Sequence, residues 1–160
     1  MTITGKNGLI FEERFQQLKL MSLHGLIAHH FPNLFYTGLS QAGVGVNQCQ
    51  RLDEQSLHVA YTIREAEKKY NGKKTVIEPT DAACEDWGNQ VAGRAHLMAT
   101  MANCTPSYFN SEGGTDKMTP DQQMAMARAT IWGSGYLSYA NILQDWRASG
   151  KLEGFEISAA

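Results

Sequence analysis

The most regular pattern in the chain lies between Asn47 and Tyr70. Cys49, Leu52, Ser56, Val59, Ile63, Ala66 and Tyr70 recur at steps of three and four, which predicts one long amphipathic helix with that stripe on one face. Asn47 is placed to cap it, and Gln50, three residues on, occupies the third position of a capping box. Lys68 and Lys69 complement the dipole at the far end, and Asn71-Gly72 supplies the left-handed residues that stop a helix. Some 23 residues at ~1.5 Å each make this element about 35 Å long.

Shorter patterns flank it. Thr2-Ile3-Thr4, the turn Gly5-Lys6-Asn7-Gly8 and Leu9-Ile10-Phe11 predict a hairpin, since Asn-Gly provides the positive φ of a tight turn. Phe31 to Gly38 is a compact apolar and aromatic run that predicts a buried strand, followed by Gly43 and Gly45 before the helix. Lys73-Lys74 mark a boundary between two lobes, after which Thr75-Val76-Ile77 predicts a strand closed by Pro79. A second helix opens at Thr80 with Cys84, Trp87, Val91, Met98 and Met101 on one face, and Asn103 to Met118 forms a long loop carrying Tyr108 and Phe109. Thr119-Pro120-Asp121-Gln122 is a capping box with proline at the first helical position; that helix ends before Gly133. A last helix spans about Ser138 to Ala148, burying Tyr139, Ile142, Leu143 and Trp146, and Phe155-Glu156-Ile157 predicts a closing strand.

Composition narrows the classes. With 160 residues, Lys+Arg 14 against Asp+Glu 16 and a net charge of -2, the chain is one ordinary domain or two small lobes, and its charge argues against a nucleic-acid partner. Hydrophobic residues at 42% and charged residues at 19% give enough apolar surface for a core and too little charge for disorder. No run approaches the roughly 18 apolar residues of a membrane span, and Met1 to Gly5 lacks the basic and apolar regions of a secretion signal, so the expectation is a soluble, cytoplasmic protein. Cys49, Cys84 and Cys104 form neither a disulfide framework nor a thiolate metal knuckle.

The candidate chemistry concentrates on the glycines. Gly38, Gly43 and Gly45 stand between a predicted strand and a helix N-terminus, where backbone amides and the positive end of the dipole favour an anion or a polarised carbonyl. The same residues equally describe a tight turn between packed elements, because the spacing is not Gly-x-Gly-x-x-Gly. Gly38-Leu39-Ser40-Gln41-Ala42 approaches a nucleophile elbow, but Gly43 and Gly45 delay the helix and too few strands remain for such a hydrolase. His24, His29, His30, His58 and His96 show no metal-ligand spacing; adjacent His29 and His30 would point to opposite faces of a strand, and no metal site is expected. His58 and His96 read as surface or hydrogen-bonded core residues, Tyr36, Tyr61 and Tyr70 as packing, and Met98, Met101, Met124 and Met126 as core filler.

The order of the motifs adds what their chemistry does not. Gly5-Lys6-Asn7-Gly8, Leu23-His24-Gly25, the block Phe31-Pro32-Asn33-Leu34-Phe35-Tyr36-Thr37-Gly38 and the long helix after it resemble the C-terminal third of flavin-containing Baeyer–Villiger monooxygenases. Cys104 to Asn110 and Trp146 to Phe155 resemble that family in the same order, so the likeness covers essentially the whole chain. The resemblance implies an α/β fold: the C-terminal part of a FAD-binding dinucleotide domain over 1–72, then a mostly helical lobe over 73–160 beside the substrate site. It implies FAD and NADPH as cofactors and insertion of one oxygen atom from O2 next to a ketone carbonyl.

The family's two dinucleotide fingerprints, its signature motif and its catalytic arginine belong upstream of these residues, so no catalytic residue carries over and the missing N-terminal part becomes an implied partner. Carried over by position, Gly38, Gly45, Val46 and Asn47 would approach the flavin, while Leu39, Ser40, Gln41 and Tyr108 would line the substrate site. Gly38-Leu39 replaces the Gly-Pro of many relatives, which puts loop shape in question. The competing expectation is a non-catalytic helical binding module derived from the same family.

Overall fold

The computed structural model describes residues 2–17, 21–97, 105 and 118–160. The N-terminal hairpin is reduced to its turn. Thr4 bridges Ile10, Gly5 N–H donates to the Leu9 carbonyl at 2.8 Å, and a single 3₁₀ turn at Lys6–Gly8 places Asn7 at φ 58°. The predicted second strand gives way at once to α1 (Phe11–Gln16), because Phe11 is drawn edge-on against Phe31 and Tyr36 at 5.3 and 5.4 Å.

The predicted strand at 31–38 is not one. Asn33 takes φ 59° and breaks the extended run, leaving an isolated bridge from Phe35 to Ile27. Asn33 then pairs with the edge of β3 (Thr75–Pro79) as a strand residue would: its N–H donates to the Ile77 carbonyl at 2.9 Å, and its Oδ1 accepts from Ile77 N–H at 2.8 Å. The regular pairing lies elsewhere, in β1 (Ser22–Leu23) with β2 (Ile27–Ala28), and in β3 with β4 (Phe155–Ala159), antiparallel with Ile77 opposite Ile157.

The helices start where the capping signals put them. The Asn47 side chain accepts from Gln50 N–H to open α2 (Gln48–Lys69), Thr80 accepts from Ala83 N–H to open α3 (Asp81–Arg94), and both halves of the capping box at Thr119 open α4 (Pro120–Ala129). The last helix, α5 (Gly135–Ser149), begins three residues before its predicted start and stops at Gly150 in the left-handed conformation, φ 68°. Met124, expected in the core, is 58% exposed because α4 buries none of its residues fully.

One core unites chain from both sides of Lys73-Lys74. Leu23, Ala42 and Ala66 pack with Ile77, Trp87, Trp132, Tyr139 and Leu143, and Trp87 stacks on Trp132 at 4.7 Å with the Arg94 guanidinium 4.0 Å over the Trp132 ring. Beside it, Lys6 pairs with the nearly buried Glu78, which also accepts from His30 N–H at 2.9 Å. Burial acts to raise the Glu78 pKa, but those partners outweigh it and hold the carboxyl below its ordinary value.

The long helix turns a different face inward than its apolar pattern predicts. Cys49 and Ser56 are exposed and Ile63 is 37% exposed, while Arg51, Gln55, His58, Thr62 and Ala66 are buried. These five keep helical periodicity, but four are polar, and each polar one finds a partner. Gln55 Nε2 donates to the Tyr139 hydroxyl at 3.3 Å, Thr62 Oγ1 donates to the His58 carbonyl at 2.9 Å, and His58 meets His24 at 3.1 Å between Nε2 and Nδ1. Burial holds both imidazoles neutral, pushing His24 down to about 3; His58 falls to about 2 through burial first, then His24 and Arg147.

A buried neutral pair makes stability pH-dependent. Between the folded values and the ordinary 6.5, the folded chain binds fewer protons than the unfolded one. Stability is therefore complete above about pH 6.5 and falls as pH drops, by up to ~3 kcal/mol per pH unit for the two together. Urea unfolding at pH 7.5 and 5.5 should give a clearly lower midpoint at 5.5; equal midpoints would mean that the pair is not buried neutral.

Candidate functional site

The glycine-rich turn is built around one side chain. Gln41 is 1% exposed with φ 59°, and its Oε1 accepts from both Ser22 N–H (3.2 Å) and Ser22 Oγ–H, while its Nε2 donates to the Arg128 carbonyl at 2.8 Å. Its backbone is equally committed: Gln41 N–H donates to the Thr130 carbonyl at 2.7 Å, and Trp87 Nε1–H donates to the Gln41 carbonyl at 3.2 Å. The following residues pair with the segment that leads into α5. Trp132 N–H donates to the Ala42 carbonyl at 2.9 Å, Gly43 bridges Trp132 in parallel, and Tyr136 N–H donates to the Val44 carbonyl at 3.0 Å.

Two glycines belong to this packing. A Cβ at Gly43 would lie 2.5 Å from Tyr139 Cβ and 3.0 Å from the Tyr136 backbone, and one at Gly45 would lie 3.0 Å from Tyr136 Cβ. Gly38 differs: a Cβ there would meet nothing within 4 Å. Its carbonyl is held from α2, where Arg51 Nη1 donates to it and Gln55 Nε2 approaches at 3.5 Å. Leu39 is half-buried, and Ser40 Oγ–H donates to the Ala129 carbonyl at 2.8 Å, so among the described residues this hydroxyl bonds a backbone carbonyl rather than a base and acts as a structural anchor.

Past this anchored stretch the chain opens. Residues 44–50 are exposed, and Val46 is fully so. Residues 44–47 and Gln50 form one wall of a cleft of about 400 Å³, with residues 134–137 as the other. Among the described residues no charged side chain lines it; Val44, Val46 and Leu137 give it apolar edges, and the N-terminal turn of α2 gives it the positive end of a 22-residue helix. Such a cleft suits the edge of a flat, largely apolar group that bears electron-rich oxygen or nitrogen. Of the predicted site residues, Gly45, Val46 and Asn47 come together here, Gly38 to Gln41 form the shoulder behind them, and Tyr108 lies outside the described residues.

Arg51, Gln55, Tyr139, His24 and His58 went unassigned to any site by sequence reasoning, although they shape this turn. Arg51, Gln55 and His58 do recur at helical spacing, and a buried run of polar residues at that spacing is the signal that could have found them. His29 and His30 do not diverge as strand neighbours. His30 has φ 71° and the rings lie 4.1 Å apart, so that with Glu78 their ligand-type atoms fall within 4.8 Å of one another. His29 Nδ1 bonds the Pro79 carbonyl at 2.8 Å and Glu78 is paired with Lys6, which makes this cluster a clasp between the N-terminal turn and β3.

No family model matches the chain. Among curated proteins, the FAD-binding monooxygenase ausC of Aspergillus calidoustus is 40% identical over 161 residues, spanning 99% of this chain and 24% of that protein. The polycyclic ketone monooxygenase of Thermothelomyces thermophilus is 35% identical over 98% of the chain. The solved structure of the enzyme of that name from Thermothelomyces thermophila superposes with a TM-score of 0.89 at 34% identity, over 99% of this chain and 24% of that one. The chain is similar over essentially its whole length to Baeyer–Villiger-type flavin monooxygenases. It spans about a quarter of the length of the curated relatives it matches and corresponds to their C-terminal portion. The fold is shared more widely in that family: a cyclohexanone monooxygenase from Rhodococcus superposes with a TM-score of 0.72 at 24% identity over the whole chain.

The packing contrast between two glycines is testable. Gly43→Ala should destabilise the chain by ~1–3 kcal/mol through overpacking against Tyr139 and the Tyr136 backbone, whereas Gly38→Ala should stay within about 0.5 kcal/mol. Denaturant titration of both variants would expose an error if the order were reversed.

Proposed function

We propose that the chain supplies the flavin-edge turn and part of the substrate wall of an FAD- and NADPH-dependent monooxygenase that inserts one oxygen atom from O2 into a ketone. The observation that carries this reading is the uncharged cleft at the exposed N-terminus of α2, held behind a turn that Gln41 immobilises. A bound flavin would supply the oxygen activation and the electrons drawn from NADPH. The residues present fit one edge of that cofactor: the α2 N-terminus would favour negative charge developing on a ring oxygen or nitrogen, the exposed Val46 would cover apolar ring surface, and Gly38, where a Cβ would meet nothing within 4 Å, would allow close approach. Asn47 fixes the helix start on which that field depends.

In this reading Gly38, Gly45, Val46 and Asn47 face the cofactor, while Leu39, Ser40, Gln41 and Tyr108 shape the substrate side. Ser40 and Gln41 do so through backbone position, since their side chains are bonded to Ala129, Ser22 and Arg128. Residues 1–72 close the FAD-binding domain and residues 73–160 form the lobe beside the substrate. The adenosine and pyrophosphate contacts come from the other three quarters of the protein, because this sequence contains no Gly-x-Gly-x-x-Gly after a strand. Among the described residues no helix is long and apolar enough to cross a membrane, and that, with the near-neutral charge, supports a cytoplasmic enzyme without a nucleic-acid partner.

Replacing the corresponding quarter of the Thermothelomyces polycyclic ketone monooxygenase with this chain tests the reading. The chimera should retain FAD and couple NADPH oxidation to ester or lactone formation, and Val46→Glu within it should weaken FAD retention about tenfold or more. A folded chimera without FAD would defeat the proposal. The chain alone should bind FAD weakly, and tight stoichiometric binding in a flavin titration would show that the remaining contacts are not needed.

A further inference from the structure

A second cavity lies away from the cleft. It is an open pocket of about 360 Å³ between α3, α5 and the turn before β4, and shares no residue with the first site. Leu23, Trp87, Ile142 and Trp146 make its apolar wall, and His24 contributes the most deeply buried polar side chain, 5% exposed. Along α5 the nearest lining residues of the two sites are Leu137 and Ile142, about 7.5 Å apart at ~1.5 Å per residue.

The protonation of His24 follows from a chain of contacts. Arg147 Nη1 lies 3.4 Å from His58 Nδ1, and a guanidinium only donates, so His58 Nδ1 is the acceptor and His58 carries its proton on Nε2. That proton points to His24 Nδ1 at 3.1 Å, which leaves His24 protonated on Nε2. Among the described residues no oxygen or nitrogen accepts this Nε2–H. The indole N–H groups cannot compete for an acceptor, since Trp87 donates to the Gln41 carbonyl and Trp146 donates to the Glu153 carbonyl at 3.0 Å. The His24 ring stands edge-on to both indoles, at 5.1 and 5.5 Å between centroids.

We infer that this cavity binds a small, neutral, ring-bearing compound through a carbonyl oxygen that accepts a hydrogen bond from His24 Nε2–H. Its volume suits roughly one or two fused rings. The aromatic walls favour a flat apolar body, and a nearly buried donor without an acceptor favours a ligand that brings one. Asp86 and Glu153 at the same cavity repel carboxylates and phosphates, which excludes anions as the acceptor. An ammonium group gains nothing from the donor, which offers it no lone pair, and could pair only with the two carboxylates. This inference does not rest on the monooxygenase reading, because it uses neither the α2 cleft nor a cofactor.

The test uses the full chain, isotopically labelled, with 2-indanone as the probe and indane, 2-aminoindane and indane-2-carboxylate as comparisons. Imidazole and indole nitrogen resonances are followed by NMR at pH 7.5. The expected result is saturable shifts at His24, Trp87 and Trp146 with 2-indanone, and binding about fivefold weaker for indane, the share of one net hydrogen bond. Both charged analogues should bind more weakly still. Ala83→Leu, which fills the cavity from α3, should abolish the shifts without altering the His24–His58 resonances in the free chain. Equal affinity for indane and 2-indanone, preference for the ammonium analogue, or shifts confined to residues 44–50 would each overturn the assignment.

Discussion

The structure depends on the way Gln41 is held. Its amide bonds Ser22 on one side and Arg128 on the other, its backbone bonds Thr130 and receives the Trp87 indole, and all of this occurs at a non-glycine residue with φ 59°. A backbone in that region persists only when its surroundings over-determine it, and here three separate parts of the chain, at Ser22, Trp87 and Arg128–Thr130, do so. The consequence is positional. Once Gln41 is fixed, Ala42 to Val44 have one way to run along residues 132–136, and the start of α2 is presented at the mouth of the cleft. A buried amide bonded through both its oxygen and its nitrogen is worth more as a determinant of register than as a source of stability, because an alternative register would leave it unsatisfied.

The same logic governs the long helix. An apolar stripe would let α2 slide or rotate against α5 at small cost, since one aliphatic contact substitutes for another. Arg51, Gln55 and His58 allow no such exchange: each bonds one partner on the turn, on α5 or on the segment at His24. The ion pair of Arg147 with Glu54, both largely buried, adds a further fixed point between α2 and α5. A helix whose N-terminus must face a ligand at a set angle gains from this arrangement, and the cost is the desolvation of several polar groups that only a complete set of partners offsets.

These features explain what could be read from the chain and what could not. Local chemistry was legible: Asn47, Thr80 and Thr119 each cap the helix they precede, Gly72 and Gly150 take the left-handed conformation, and the strands at Thr75 and Phe155 form where apolar, β-branched residues predict them. The order of motifs was legible too, and it led to the family. The inward face of α2 was not, because periodicity in hydrophobicity is blind to polar residues whose partners lie far along the chain, 84 residues away for Gln55 with Tyr139 and 34 for His58 with His24. The run at 31–38 failed for a related reason. Its apolar content is real and is buried with Phe31, but Asn33 spends its side chain imitating a strand beside β3, a role that composition cannot distinguish from a turn. Gly43 and Gly45 also answer to packing that the sequence pattern does not show, since a Cβ at either would press on Tyr136 or Tyr139, while Gly45 still lines the cleft.

The two cavities meet through one hydrogen-bonded path. From the shoulder behind the cleft it runs from the Gly38 carbonyl to Gln55, then to the Tyr139 hydroxyl, which donates to the His24 carbonyl at 2.8 Å; from the His24 ring it continues to His58, Arg147 and Glu54. Each group along it has a single donor and acceptor assignment that satisfies its neighbours, starting from a guanidinium that cannot accept. A path of this kind is rigid at neutral pH, because reversing any link would leave a buried donor facing a donor. Protonating His58 would place a second proton against Arg147, and the network would have to open at α5, the helix that forms a wall of both sites. The shape of the cleft and the neutral state of two histidines are therefore one constraint, carried by the polar face that the hydrophobic pattern of α2 conceals.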